Sequence, residues 1–170
     1  MTSNRTRRAV PLPAGPGQES VWDYPRPPRV EGVSKRVVVR FGGAVIADTT
    51  DAVRVLETSH PPVFYVPRTA FVDGSLRPAA GTTFCEFKGE ASYLDVVSGD
   101  AVAPSAGWFY ATPRKGFEDL RDMIALYPGL MDSCEVGGEV VQAQDGDFYG
   151  GWITSEIVGP FKGAPGTWGW

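Results

Sequence analysis

From Lys35 onward the chain alternates short apolar runs with glycine-bearing breaks. Arg36-Val-Val-Val-Arg-Phe41 is β-branched, Gly42-Gly43 interrupts it, and Ala44-Val-Ile-Ala47 resumes. Two such runs joined by Gly-Gly predict a hairpin, because tight hairpin turns need positive φ. The figure returns as Tyr93-Leu-Asp-Val-Val97, Ser98-Gly99-Asp100 and Ala101-Val-Ala103, and again as Ser133-Cys-Glu-Val136, Gly137-Gly138 and Glu139-Val-Val-Gln142. The turn glycines at 42, 99 and 137 stand 57 and 38 residues apart, so these are three hairpins and not a repeat of fixed period. Val63-Phe-Tyr-Val66, Thr82-Thr-Phe-Cys-Glu-Phe87 and Trp108-Phe-Tyr110 are strand-like in residue type. One helix is predicted, from about Gly116 to Tyr127, where Phe117, Leu120, Met123, Ile124 and Tyr127 recur at three- and four-residue steps before Pro128-Gly129. The pattern predicts a mostly β domain with one short amphipathic helix near 116–127. It lacks the strand–helix alternation of a doubly wound sheet.

The two ends differ from the middle. Residues 1–18 read as a flexible tail, with basic Arg5, Arg7 and Arg8 and the breakers Pro11, Pro13, Gly15, Pro16 and Gly17. Glu19-Ser-Val-Trp-Asp-Tyr-Pro-Arg-Pro-Pro28 sets Trp22 and Tyr24 among prolines, which favour extended backbone. In the last twelve residues six are Gly or Pro, yet three are Phe or Trp. Aromatics of that size predict a docked segment, not a loose end. One domain over 19–170 is the expectation.

Composition narrows the class. Gly 21 and Pro 15 among 170 residues exceed the usual share of roughly 12% and indicate a turn-rich domain. A formal charge of −4 argues against a nucleic-acid binder that lives on phosphate contacts. No apolar run reaches the ~18 residues of a membrane span, and no apolar signal segment opens the chain. Two cysteines, Cys85 and Cys134, supply neither a disulfide framework nor a zinc ligand set. The expectation is a soluble cytoplasmic protein with no metal and no cofactor.

Several residues could carry chemistry. His60, the only histidine, follows Glu57 by three residues. The pair could do acid–base work near neutral pH, or His60 could satisfy a backbone group at the rigid corner before Pro61-Pro62. Lys88, after a strand and before Gly89, could meet an anion or pair with Glu90. Cys85 with His60 has the residue types of a nucleophile and its base. Gly159-Pro-Phe-Lys-Gly lacks the spacing of a phosphate-binding loop. Gly74-Ser75 and the pair Asp145 and Asp147 are too far apart in sequence to support a Mg²⁺-dependent nucleotidyl transfer. Aromatic residues in turn-rich segments are the stronger lead: Trp22, Tyr24, Tyr65, Trp108, Tyr149, Trp152, Trp168 and Trp170. A few of them gathered together would make an apolar pocket with polar tips.

Glu19-Ser-Val-Trp-Asp-Tyr-Pro-Arg-Pro-Pro28, Ile46-Ala-Asp-Thr49, Arg54-Val-Leu-Glu-Thr-Ser-His-Pro-Pro62, Phe87-Lys-Gly-Glu-Ala91, Gly151-Trp-Ile-Thr154 and the segment from Gly159 to Trp170 closely resemble the DUF427 family, from about Glu19 to the last residue. The resemblance implies a fold similar to the β-tent, two small antiparallel sheets meeting at an angle. One label attached to the family suggests a nucleotidyltransferase. Related β-tent proteins include zinc-bearing domains and the ligand-binding domain of cereblon, which cages its ligand with tryptophans. Paired CxxC knuckles are missing from this chain, so packing is expected to replace zinc.

The leading expectation is a domain that binds a small polar or aromatic metabolite. Trp22, Tyr24, Trp152 and Trp170 would form walls, joined by Tyr65. Glu57, His60 and Lys88 would be the polar groups. Two alternatives stand beside it: a hydrolase or transferase using Glu57 or His60 with Lys88, and a homodimerising interaction module capped by the aromatic C-terminal segment.

Overall fold

A computed structural model describes residues 8–146 and 149–170. Arg5, Arg7, Asp147 and Phe148 lie outside these residues. Among the described residues the first strands are β1 (Glu19–Ser20), β2 (Arg29–Gly32), β3 (Val37–Phe41), β4 (Ala44–Thr49), β5 (Val53–Leu56), β6 (Val63–Pro67) and β7 (Leu76–Cys85). They are followed by β8 (Gly89–Ser98), β9 (Ala101–Phe109), β10 (Met123–Leu126), β11 (Ser133–Val136) and β12 (Glu139–Val140). The last are β13 (Gln142–Ala143), β14 (Trp152–Ile153) and β15 (Ile157–Val158).

All three expected hairpins are present, as β3–β4, β8–β9 and β11–β12. Their turns need backbone that side chains resist: Gly42 and Gly43 have φ of 61° and 79°, and Gly137 and Gly138 of 59° and 84°. Instead of two small sheets, the strands build a seven-stranded antiparallel sheet in the order β2-β5-β6-β10-β9-β8-β7 and a four-stranded one in the order β12-β11-β3-β4. Two short ladders complete the set: antiparallel β13–β14 and parallel β1–β15.

Strand alternation sorts the side chains of the large sheet into two apolar layers. Phe64 and Val66 of β6, Leu94 and Val96 of β8, and Ile124 and Leu126 of β10 share one cluster with Val37, Val39, Cys134 and Val136 of the smaller sheet. The intervening residues Val63, Tyr65, Ala91, Tyr93, Met123 and Ala125 belong to a second cluster with Trp108 and Tyr110. The first cluster is the core between the sheets. The second covers the opposite face of the large sheet, where the polar residues considered above gather.

The helix expected over 116–127 is not there. A three-residue 3-10 turn at Glu118–Leu120 is followed by Asp122 with φ of 58°, and then by β10. Left-handed backbone at Asp122 stops any helix. Met123, Ile124, Ala125 and Leu126 are all buried, because β10 is an inner strand between β6 and β9 with apolar layers on both faces. A fully buried strand reads as a continuous apolar run, and its first residues happened to fall in helical step with Phe117 and Leu120.

Trp152 sits in the inter-sheet core. It is 1% exposed, stacks on Phe64 with ring centroids 4.9 Å apart, and donates its indole N–H to the Leu126 carbonyl at 3.3 Å. Removing it leaves a large cavity and deletes a buried hydrogen bond. Trp152→Ala should therefore cost about 3–5 kcal/mol, read as a lower urea midpoint with unchanged slope.

Candidate functional site

The second layer does not close completely. It surrounds a cavity of about 400 Å³ lined by Glu57, His60, Tyr65 and Lys88, with Cys85, Tyr93, Trp108, Tyr110, Tyr127, Tyr149 and Lys162 among its other walls. Four of the eight residues expected at a ligand site thus converge. An adjoining hollow of about 710 Å³ shares Tyr93, Tyr127, Gln144 and Tyr149 with it.

Three parts of the fold supply the walls. The sheet face gives Tyr65, Tyr93, Trp108 and Tyr110, with Tyr93 directly opposite Trp108 across the β8–β9 ladder. The ring of Tyr127 packs on Trp108 at 4.6 Å. The tip of the β7–β8 hairpin brings Cys85 and Lys88. It is pinned from behind by Arg114, whose Nη1 donates to the Glu86 carbonyl at 2.6 Å and whose backbone N–H donates to that of Lys88 at 3.0 Å. The C-terminal segment brings Lys162, whose backbone N–H donates to the Ser59 carbonyl at 2.9 Å and whose carbonyl accepts from Gln144 Nε2 at 2.5 Å. Gly150 approaches the Trp108 ring so closely that a Cβ there would lie 2.3 Å from it.

Charge at the site is partly committed. Arg26 Nη2 holds the Glu57 carboxylate at 3.2 Å, and His60 Nδ1 lies 3.5 Å from the same oxygen. His60 Nδ1 is 2.9 Å from the Thr58 carbonyl, which can only accept, so Nδ1 carries the proton and the neutral ring keeps Nε2 as its acceptor. Burial lowers the His60 pKa below its ordinary value against the opposing pull of Glu57, and Lys162 adds to the lowering. Burial likewise raises the hydroxyl pKa values of Tyr65 and Tyr110, so both remain protonated donors. Both tyrosines share the outer cluster of the large sheet with Trp108.

The other four expected residues lie elsewhere. Trp152 belongs to the inter-sheet core. Tyr24 is buried in a polar network: its hydroxyl donates to Glu19 Oε1 at 2.6 Å, and Arg54 bridges that carboxylate to Glu31 at 2.6 and 2.7 Å. Burial alone would raise the Glu19 pKa, but hydrogen bonds from Arg54 and Tyr24 hold it below the usual value. Trp22 donates its indole N–H to the Pro160 carbonyl at 2.9 Å and meets Trp170 edge-on at 5.5 Å. These contacts dock the C-terminal segment, as its aromatic content predicts. Leu12 adds a hydrogen bond from its N–H to the Gly159 carbonyl at 2.8 Å.

Tyr93, Tyr110, Tyr127 and Lys162 were not singled out from the sequence. Alternation along β8, which sends Leu94 to the inter-sheet core, points its neighbour Tyr93 to the outer face, whereas Tyr127 falls in the apolar run that reads as a helix. Among the described residues no three His, Cys, Asp or Glu side chains cluster as a metal would require, and no helix is long and apolar enough to cross a membrane.

Ser59, beside His60, is buried with φ of 73°, and its hydroxyl has no hydrogen-bond partner among the described residues. Ser59→Ala deletes that orphan group without adding bulk. It should raise stability by about 1 kcal/mol, a gain of roughly 2–4 °C in Tm. His60 should titrate below 6.5, and as the only histidine it gives a single imidazole signal for NMR. Because its folded pKa is depressed, stability should fall as pH drops below about 6.5 through that value, and His60→Gln should lack this step.

The family comparison matches a domain of unknown function, DUF427, over residues 29–137, a span that holds Glu57, His60, Tyr65, Cys85, Lys88 and the sheet tyrosines but stops short of Gly150 and Lys162. No curated protein matches the chain. With well over half of its length matched by the family model, the chain belongs to the DUF427 family.

Proposed function

We propose that this protein binds a small ring-bearing metabolite in the cavity on the outer face of its large sheet. The observation that carries the reading is the convergence there of Tyr65, Tyr93, Trp108, Tyr110 and Tyr127 with Glu57, His60 and Lys88. A cavity of about 400 Å³ lies within the 300–1,000 Å³ typical of small-molecule sites, and aromatic walls with convergent polar groups are in keeping with one. We infer as well that the seven- and four-stranded sheets are the two walls of a β-tent, with the ligand on the outside of one wall.

An enzymatic reading has one specific support: Cys85 and a neutral His60 line the same cavity. Glu57 is a weaker candidate base, because Arg26 already holds its carboxylate.

The two cysteines provide a local reporter. Cys85 is half-buried at the cavity, whereas Cys134 is 1% exposed and burial pushes its thiol up to about 12. Iodoacetamide should modify Cys85 and leave Cys134 intact in the folded protein. A panel of nucleotides, sugars, amino acids and aromatic acids would first be screened by thermal shift. A compound at a hundred times its Kd should add about 2.7 kcal/mol, or roughly 5–11 °C. Compounds that raise Tm should also slow Cys85 alkylation. Stabilising compounds that leave its rate unchanged would place binding outside this cavity and overturn the reading. If His60 activates Cys85 as a nucleophile, alkylation of Cys85 should slow in His60→Gln.

A further inference from the structure

The charged groups around the cavity are unequally satisfied. Glu57 has Arg26 as its counter-ion, and Glu86 is exposed to solvent. Lys88 has no carboxylate within 4.0 Å among the described residues, and its ammonium lies 6.0 Å from the centroid of the Tyr110 ring. Lys162 also lines the cavity, but its Nζ donates to the main-chain oxygen of Trp170 at 3.3 Å. Tyr65 and Tyr110 add protonated hydroxyls. The interior therefore offers donors and positive charge next to apolar ring faces.

Resting on the small-molecule reading above, we propose that the ligand is a planar aromatic monocarboxylate, with its ring between the tyrosine walls and its carboxylate on Lys88. Three features select this class. An aromatic cation would meet like charge, because Lys88 already lies over Tyr110. A phosphate ester is a poorer match, because among the described residues no arginine lines the cavity to hold a dianion bidentately. A neutral ring would fill the space but leave the Lys88 ammonium unpaired as water is excluded. About 400 Å³ accommodates one or two fused rings.

The test uses indole-3-acetate, its neutral isostere indole-3-acetamide and the cation tryptamine, titrated calorimetrically into the full-length protein at low salt. Cys85 alkylation reports location. Expected is binding of the acetate at least about tenfold tighter than the acetamide, as a charge-assisted hydrogen bond supplies, with tryptamine weakest and with Cys85 protected. In Lys88→Met the acetate-to-acetamide ratio should fall to about one, whereas Lys115→Met, an exposed lysine outside the cavity, should keep the wild-type ratio. Far-UV circular dichroism and Tm confirm that both variants fold, and Lys88→Arg should restore part of the ratio if Lys88→Met is unstable. Equal affinity for acetate and acetamide with Cys85 still protected would overturn the carboxylate assignment and leave the small-molecule reading standing. Binding of neither compound, or binding without protection of Cys85, would overturn both.

Discussion

The structure depends on burying both faces of the seven-stranded sheet. A β-strand sends successive side chains to opposite faces, so strands β6, β8 and β10 must satisfy two environments with one alternating sequence. On one side they meet the four-stranded sheet and close a core of Val37, Val39, Phe64, Val96, Ile124 and Trp152. On the other, no second sheet is available, and large aromatics with the C-terminal segment form the cover. Rings are poor space-fillers where their neighbours are loop residues, and the gap they leave is the cavity. Fold and candidate site are consequences of the same demand.

That origin explains the character of the site. Its floor is sheet, where Tyr93 faces Trp108 across the β8–β9 ladder and Tyr127 packs on the Trp108 ring. Its rim is loop and hairpin tip, positioned by main-chain hydrogen bonds from Arg114 and to Ser59. The polar groups that matter are at the rim, where strands end and chain direction changes. His60 reaches the cavity from a corner whose backbone is forced into the left-handed region at Ser59. Strain of this kind persists only where the surroundings over-determine it, here through the Ser59 N–H on the Val21 carbonyl and the Lys162 N–H on the Ser59 carbonyl.

Hairpins were legible in the sequence because glycine pairs at positive φ leave a local signature, seen at Gly42-Gly43 and Gly137-Gly138. Glu57, His60, Tyr65 and Lys88 could be chosen for chemistry, but nothing local says that a corner at 60, a strand at 65 and a hairpin tip at 88 meet. That proximity is a product of strand order. Trp152 and Tyr24 show the converse problem. An indole among glycines and a phenol among prolines look available for a ligand, yet each finds an internal acceptor, the Leu126 carbonyl and the Glu19 carboxylate. The apolar run at Met123 was ambiguous for a physical reason: an inner strand buried on both faces loses the period-two pattern that would distinguish it from a helix.

The pairing of β1 with β15 sets Glu19 beside Ile157, 138 residues later in the chain. Trp22 and Leu12 extend that junction to Pro160 and Gly159. The C-terminal wall of the cavity, including Gly150 and Lys162, follows nearly the whole sheet in sequence. On the ribosome, the hairpins can therefore form while the aromatic face is still uncovered, and the cavity is enclosed only once Gly150 and Lys162 have left the exit tunnel. Until then the rings of Tyr65, Tyr93, Trp108 and Tyr110 lack that part of their cover.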